Sequence, residues 1–200
     1  PFHFHRVMSS YLGESVSAYV RRRALERRGI ALQQRSVVVI GAGNVGYNAA
    51  WIAAGMLANV TIMDRNLDRL RQLEQIAVGK TTTVASNRGS IERALADADL
   101  VVGAVLVAGA KAPVVVTEDM VRSMKKGSVI VDVAVDQGGC VATTRETTHS
   151  EPIYVVHDVV HYAVGNMPGA VPNTSTYALT NATLPYQLEI ATLGARAARE

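Results

Sequence analysis

Two hydrophobic rhythms alternate along the chain. The stretches "SVVVI" (36–40), "NVTIMD" (59–64), "KTTTVAS" (80–86), "DLVVGAVL" (99–106) and "SVIVDVAVD" (128–136) are short runs rich in β-branched residues. All five read as strands, and the first has the pattern of one buried on both faces of a sheet. Between them, "NVGYNAAWIAAGMLA" (44–58), "NLDRLRQLEQI" (66–76), "SIERALADA" (90–98) and "TEDMVRSM" (117–124) read as helices. Leu67, Leu70, Leu73 and Ile76 share one face of the second, and Ser90 and Thr117 mark the starts of the third and fourth. Such alternation predicts an α/β fold: a doubly wound parallel sheet with helices on both faces and right-handed crossovers. Beyond residue 136 the rhythm changes. "PIYVV" and "VVHYAVG" read as strands around a turn at His157–Asp158, and residues 173–199 read as helix interrupted at Pro185. Ahead of the first strand, residues 9–28 read as a helix. It carries Leu12, Val16, Tyr19 and Val20 at helical spacing, with Ser9 or Ser10 as cap and Gly29 as its end. The expected organisation is a basic, helical segment at 1–35 followed by one domain over 36–200.

Composition narrows the class. Apolar residues at 48% against 18% charged exclude a disordered chain. No apolar run reaches the roughly 18–20 residues of a membrane helix, and the opening residues lack a secretory-signal layout. No membrane partner is therefore expected. Cys140 is the only cysteine, so no internal disulfide can form, which fits the cytoplasm as the expected location. Residues 1–35 hold seven arginines against two glutamates, a net of +5, and the remainder nets −2. Arg21, Arg22, Arg23, Arg27 and Arg28 crowd one segment. No aromatic residues interleave with them and no nucleic-acid motif follows, so a solvated helix face or a docking surface is expected rather than a nucleic-acid site.

The chemistry begins at "VVVIGAGNVGYNAA" (37–50). Gly41, Gly43 and Gly46 have the G-x-G-x-x-G spacing between a strand and a helix. The first permits a tight turn, the second leaves room for a pyrophosphate, and the third lets helix and strand pack closely. Asn44, Val45 and Gly46 open the helix, whose free N–H groups and partial positive charge suit phosphates. Asp64 ends the next strand 18 residues after Gly46, where a carboxylate can accept the ribose hydroxyls of a dinucleotide. Together these predict a Rossmann-type domain. Asp64 repels a 2′-phosphate and so favours NAD over NADP, although the neighbouring Arg65 could tolerate one. A ligand here lies outside the carboxyl ends of the strands, which makes the loops after the later strands the informative ones.

Those loops carry long motifs: "DVAVDQGG", "THSEP" and "NMPGAVP-TST-ALTNATLPY". With them the chain, from about residue 36 to about 190, resembles the NAD-binding domain of the alanine dehydrogenases. Their family also contains the nicotinamide nucleotide transhydrogenases, to which the last motif is less similar. The resemblance implies NAD(H) as cofactor and oxidative deamination of L-alanine to pyruvate and ammonia. It implies that Asp64 binds the adenine ribose with Arg69 nearby, that Ser86 lies close to the adenine, and that Val105 and Leu106 line the cleft. Val133, Ala134, Val135 and Asp136 would pass beside the nicotinamide, and Val164, Asn166 and Met167 would close over it. Asp136 is the implied catalytic residue, a carboxylate able to stabilise a cationic iminium or move protons. On spacing alone, Asp136 is equally a cap for the turn at Gly138 and Gly139.

No metal site is expected. His157 and His161 stand four apart, but in a strand–turn–strand context, and His149 completes no ligand set with them. His3 and His5 lie near an end. Lys111 reads as a surface lysine. Residues 1–35 are expected not to match the family, whose substrate domain precedes the NAD-binding domain. A piece of a longer protein, a shortened homologue and a gene joined to foreign coding sequence all fit that expectation. A small amino-acid or keto-acid substrate is expected only where a substrate domain is present, and a stand-alone NAD-binding regulatory or sensing module is the alternative reading. The apolar residues Leu184, Leu188 and Ile190 of the last helix predict a homo-oligomer.

Overall fold

Seven strands form a single sheet in the order β3-β2-β1-β4-β5-β7-β6. The computed structural model describes residue 32 and residues 34–76, 81–107 and 109–194. The helix expected at 9–28, with its arginine cluster, and His3 and His5 lie outside the described residues. The strands are β1 (Ser36–Ile40), β2 (Asn59–Asp64), β3 (Thr81–Ala85), β4 (Leu100–Gly103), β5 (Val129–Asp132), β6 (Ile153–Val156) and β7 (Val159–Tyr162). All neighbours pair in parallel except β6 and β7. The helices are α1 (Asn44–Gly55), α2 (Leu67–Ile76), α3 (Arg88–Ala96), α4 (Glu118–Ser123) and α5 (Pro172–Leu193). This is the doubly wound order 3-2-1-4-5, with β7 in the sixth place and β6 added as an antiparallel edge.

Alternation along β1 builds a core on each face. Val37 and Val39 join Val60, Ile62, Ala50, Ala53, Leu70 and Leu73 under α1 and α2. Val38 and Ile40 join Met63, Val101, Ile130, Ile91, Leu95, Met120 and Val121 under α3 and α4. Each fully buried aliphatic side chain contributes about 1.5–3 kcal/mol. The side of α1 facing the sheet is built from Gly46, Ala50 and Ala53, and the small residues let it sit close.

Several boundaries differ from the sequence expectation. Helix α1 stops at Gly55 rather than 58, because Leu57 turns into the left-handed region (φ 66°). Helix α3 begins at Arg88: Asn87, not Ser90, is its cap. The Asn87 side chain accepts from Ser90 N–H, and the Ser90 hydroxyl accepts from Asn87 N–H. Thr117 caps α4 as expected. Strands β4 and β5 are shorter than their apolar runs, ending at Gly103 and Asp132, and a 3-10 turn occupies Val135–Gln137. The hairpin turn at His157–Asp158 has positive φ at both residues (53° and 62°), the geometry that suits the twist of a two-residue hairpin. Helix α5 runs unbroken through Pro185. A proline removes one i→i−4 bond, and the carbonyl it orphans belongs to exposed Asn181, where water can replace the lost donor. No residue of α5 is buried. Among the described residues, no helix is long and apolar enough to cross a membrane.

Candidate functional site

The glycine turn stands at the carboxyl end of β1, where the sheet order reverses between β1 and β4. Gly41 has φ 103°, and a side chain there would strike the carbonyl of Ala104 at the end of β4. A side chain at Gly46 would overlap the Gly41 carbonyl oxygen, so α1 can start this close to β1 only with glycine. At Gly43 the nearest outside atom to an added Cβ is Arg69 Nη1, 3.6 Å away, which leaves the approach open. The N-terminus of α1 has no side-chain cap and no acid in its first turn. Its first N–H groups therefore remain available to an anion.

Two side chains hold the turn through Ala42, a buried residue. Asp64 Oδ2 accepts from Ala42 N–H at 2.6 Å, and Oδ1 accepts from Asn66 N–H at 2.8 Å. Arg69 Nη1 donates to the Ala42 carbonyl at 3.3 Å. Asp64 and Arg69, expected together at an adenine ribose, thus meet over the turn itself. Each Asp64 oxygen keeps a further acceptor site for a hydroxyl. Ser86 N–H donates to the Asp64 carbonyl at 2.8 Å, which sets Ser86 beside the end of β2.

Val105 is half-buried and Leu106 exposed just past β4, and Val133 N–H donates to the Gly103 carbonyl at 2.9 Å. Ala134 and Val135 are buried, and Asp136 is exposed. Asp136 accepts from the backbone N–H of Asn166 (Oδ1 3.1 Å, Oδ2 3.4 Å), joining the loop after β5 to the loop after β7. Val164 is buried, and Met167 begins the 3-10 turn Met167–Ala170. From Ser86 through the glycine turn to Asn166, the residues that the sequence pointed to for a dinucleotide lie on the carboxyl edge of the sheet. The distance from β2 to β5 is three strand spacings, roughly 14 Å. The edge therefore presents acceptors for sugar hydroxyls at one end, free N–H groups at the centre and a carboxylate at the other end, an arrangement that fits an extended dinucleotide.

The capping role considered for Asp136 belongs to Asp132, which the sequence reading overlooked. Asp132 is 1% exposed at the end of β5. It accepts from Ala134 N–H (3.1 Å), Cys140 N–H (2.9 Å), Val141 N–H (3.2 Å) and the Thr144 hydroxyl (2.8 Å). This buried acceptor folds residues 133–144 into a closed loop and so sets where Asp136 stands. The signal available in "VDVAVD" was an acid at the last strand position before a glycine turn, the same position Asp64 holds in β2. Lys111 is exposed, as expected, but its stem lies along Gly138 of this loop.

The histidines carry structure. His161 is buried. Its Nδ1 faces the Val159 carbonyl at 3.0 Å and so carries the proton, and its Nε2 accepts from the Thr143 hydroxyl at 2.8 Å. Burial pushes its pKa below the ordinary histidine value, in keeping with a neutral ring. The ring stacks on Tyr154, with centroids 5.0 Å apart. His157 pairs with Glu118 on α4 at 2.8 Å. Among the described residues, no three His, Cys, Asp or Glu side chains are grouped to hold a metal. Cys140 is buried, and its thiol is pushed up to about 12, first by desolvation and then by Asp132.

Comparison with known proteins agrees with this geometry. The sequence model of the family described as "Alanine dehydrogenase/PNT, C-terminal domain" matches residues 17–200. The match starts inside the segment before β1. The chain is 51% identical over 193 residues to alanine dehydrogenase of Mycobacterium tuberculosis, covering 94% of this chain and 52% of that protein. It is 60% identical over 160 residues to the Bacillus subtilis alanine dehydrogenase, covering 80% of this chain and 42% of that protein. A solved L-alanine dehydrogenase superposes with a TM-score of 0.78 at 48% identity, over 91% of this chain and 53% of that one. A transhydrogenase from Sinorhizobium meliloti, at 24% identity and TM-score 0.66, shares the fold. The chain spans about half the length of the curated relatives it matches. Because the family model spans residues 17–200, the chain belongs to the alanine dehydrogenase/PNT family and corresponds to its C-terminal, NAD-binding domain.

Proposed function

We propose that this chain is the cofactor-holding half of an L-alanine dehydrogenase, binding NAD(H) along the carboxyl edge of its sheet. The observation that carries the reading is the Asp64–Ala42–Arg69 clamp on an otherwise open glycine turn. When bound, NAD takes up the hydride released from Cα of L-alanine. The chain's residues do the rest of the work assigned to this half. Asp64 accepts ribose hydroxyls and excludes a 2′-phosphate, the first turn of α1 faces the pyrophosphate, and Val105 and Leu106 flank the cleft. Asp136, held to the loop of Val164, Asn166 and Met167, stabilises positive charge on the substrate carbon–nitrogen unit or moves its proton.

A three-carbon substrate also needs a cation for its carboxylate and a base for its nitrogen, and placing such groups accounts for roughly 7–11 kcal/mol of a barrier. Those roles fall to a substrate domain, which in the working enzyme corresponds to the remaining half of the relatives' length. The exposed apolar residues of α5, among them Tyr177, Leu179, Tyr186, Leu188 and Leu193, are the proposed contact surface for a homo-oligomer working in the cytoplasm. Light scattering of the 200-residue chain is expected to show species larger than its 21.3 kDa mass.

Calorimetry tests the reading. The chain should bind NADH and, at high pH with alanine and NAD, produce no NADH absorbance by itself. Absence of NADH binding at millimolar concentration would refute the proposal. Turnover abolished in Asp136→Ala would show that this chain supplies its own substrate site. NADH binding together with failure of any alanine dehydrogenase substrate domain to restore turnover would favour the stand-alone sensing module.

A further inference from the structure

The loop after β7 is held by a strap that the sequence did not reveal. Residues 143–149 run beside residues 163–166. Thr147 N–H donates to the Ala163 carbonyl at 2.9 Å, and Gly165 N–H returns to the Thr147 carbonyl at 3.1 Å, forming a parallel bridge between Thr147 and Val164. A side chain at Gly165 would collide with the Glu146 carboxyl, so strap and loop lie in direct contact. The strap is anchored in turn: the Thr147 hydroxyl donates to the Pro152 carbonyl at 3.1 Å, and the Tyr154 hydroxyl donates to the Thr143 carbonyl at 3.0 Å.

Its last residue is His149, whose Nε2 stands 3.2 Å from the Asn166 carbonyl. A carbonyl only accepts, so Nε2 is the protonated nitrogen in this contact. Asn166 is left-handed (φ 52°, ψ 52°), a conformation of higher energy for a residue with a side chain. Both of its backbone polar groups are engaged. Asp136 takes the N–H, and the carbonyl is shared by His149 and by Gly169 N–H at 2.8 Å.

We propose that His149 is a positioning residue for the nicotinamide end of the cofactor: its hydrogen bond fixes the left-handed turn at Asn166, and so sets Asn166 and Met167 against the ring. This rests on the NAD reading above. It adds that the strap, rather than Asp136 alone, orders that end of the site. Because the hydrogen bond of His149 goes to the loop after β7, its influence should not extend to the adenine end, where Asp64 and Arg69 hold the glycine turn.

The test compares two ligands on the full chain by calorimetry. NADH engages both ends of the site, whereas ADP-ribose lacks the nicotinamide. His149→Phe keeps a flat ring without a donor and should weaken NADH about three- to tenfold, the effect of one ordinary hydrogen bond. ADP-ribose affinity should stay within about twofold, and His149→Gln, which restores an N–H donor, should recover NADH affinity. Unchanged NADH affinity in His149→Phe, equal weakening of both ligands, or no recovery with glutamine would each overturn the proposal. If ADP-ribose and NADH both fail to bind the unsubstituted chain, the NAD reading itself falls. Binding of both to the unsubstituted chain, with His149→Phe showing no effect, would sink the role of His149 alone.

Discussion

Replacing Asp132 by alanine should damage this domain more than replacing any exposed residue at the carboxyl edge of the sheet. The substitution removes the acceptor for three N–H groups, at Ala134, Cys140 and Val141, all on buried residues. It also frees the hydroxyl of half-buried Thr144, which can turn toward water. Each orphaned buried donor costs about 1–3 kcal/mol. Relief from burying a carboxyl group offsets part of that cost, so a net loss of about 3–5 kcal/mol is expected, the range found when one partner of a buried charged contact is removed. For a domain of this size that is a fall in Tm of roughly 6–20 °C. Asp132→Asn should fall between wild type and alanine, because its amide nitrogen must face at least one of the N–H donors. Thermal and urea denaturation followed by circular dichroism give the Tm and the stability, and NADH calorimetry gives the second readout. Loosening residues 133–144 should also weaken NADH, although Asp132 itself lies beneath the site. A Tm within about 2 °C of wild type, with unchanged NADH affinity, would refute the claim that this carboxyl group organises the loop.

Three further outcomes are expected. NADH should bind at least tenfold more tightly than NADPH, about 1.4 kcal/mol, and Asp64→Ala should narrow that gap in paired titrations; equal affinities in the unsubstituted chain would remove Asp64 from the ribose. Cys140, with its thiol pushed up to about 12 and buried, should resist iodoacetamide in the native chain and react once urea unfolds it, as mass spectrometry would show. His161 has a folded pKa below its unfolded value, so its contribution is full above about 6.5 and is lost as pH falls through the lowered value. Between pH 7 and pH 5, wild type should therefore lose more stability in urea titrations than His161→Leu, and parallel losses would contradict a neutral, buried ring.

Local pattern was enough for the architecture. A central strand of a sheet covered on both faces, such as β1, is apolar at nearly every position, and helices over the sheet must repeat at 3.6 residues, so both signals sit within short windows of the chain. The glycine turn was equally legible, because strand, turn and helix are contiguous and Asp64 ends the next strand in line. What the chain pattern did not disclose depends on groups distant in sequence meeting in space. The apolar run at 128–136 looks like one long strand. It ends at Asp132 because that carboxyl group gathers N–H groups up to nine residues ahead, a folding-back that periodicity does not encode. Asn87 displaced Ser90 as the cap of α3 because both side chains bond reciprocally to backbone, an arrangement in which either residue reads as a start. Pro185 looked like a break, but its helix continues because the orphaned carbonyl is exposed. The grip of His149 on Asn166, 17 residues away, exists only because the strap pairs with the loop after β7. The sequence by itself determined which residues stand at the carboxyl edge of the sheet. Tertiary structure decided which side chains hold those residues in place, since hydrogen bonds across loops depend on where the backbone returns.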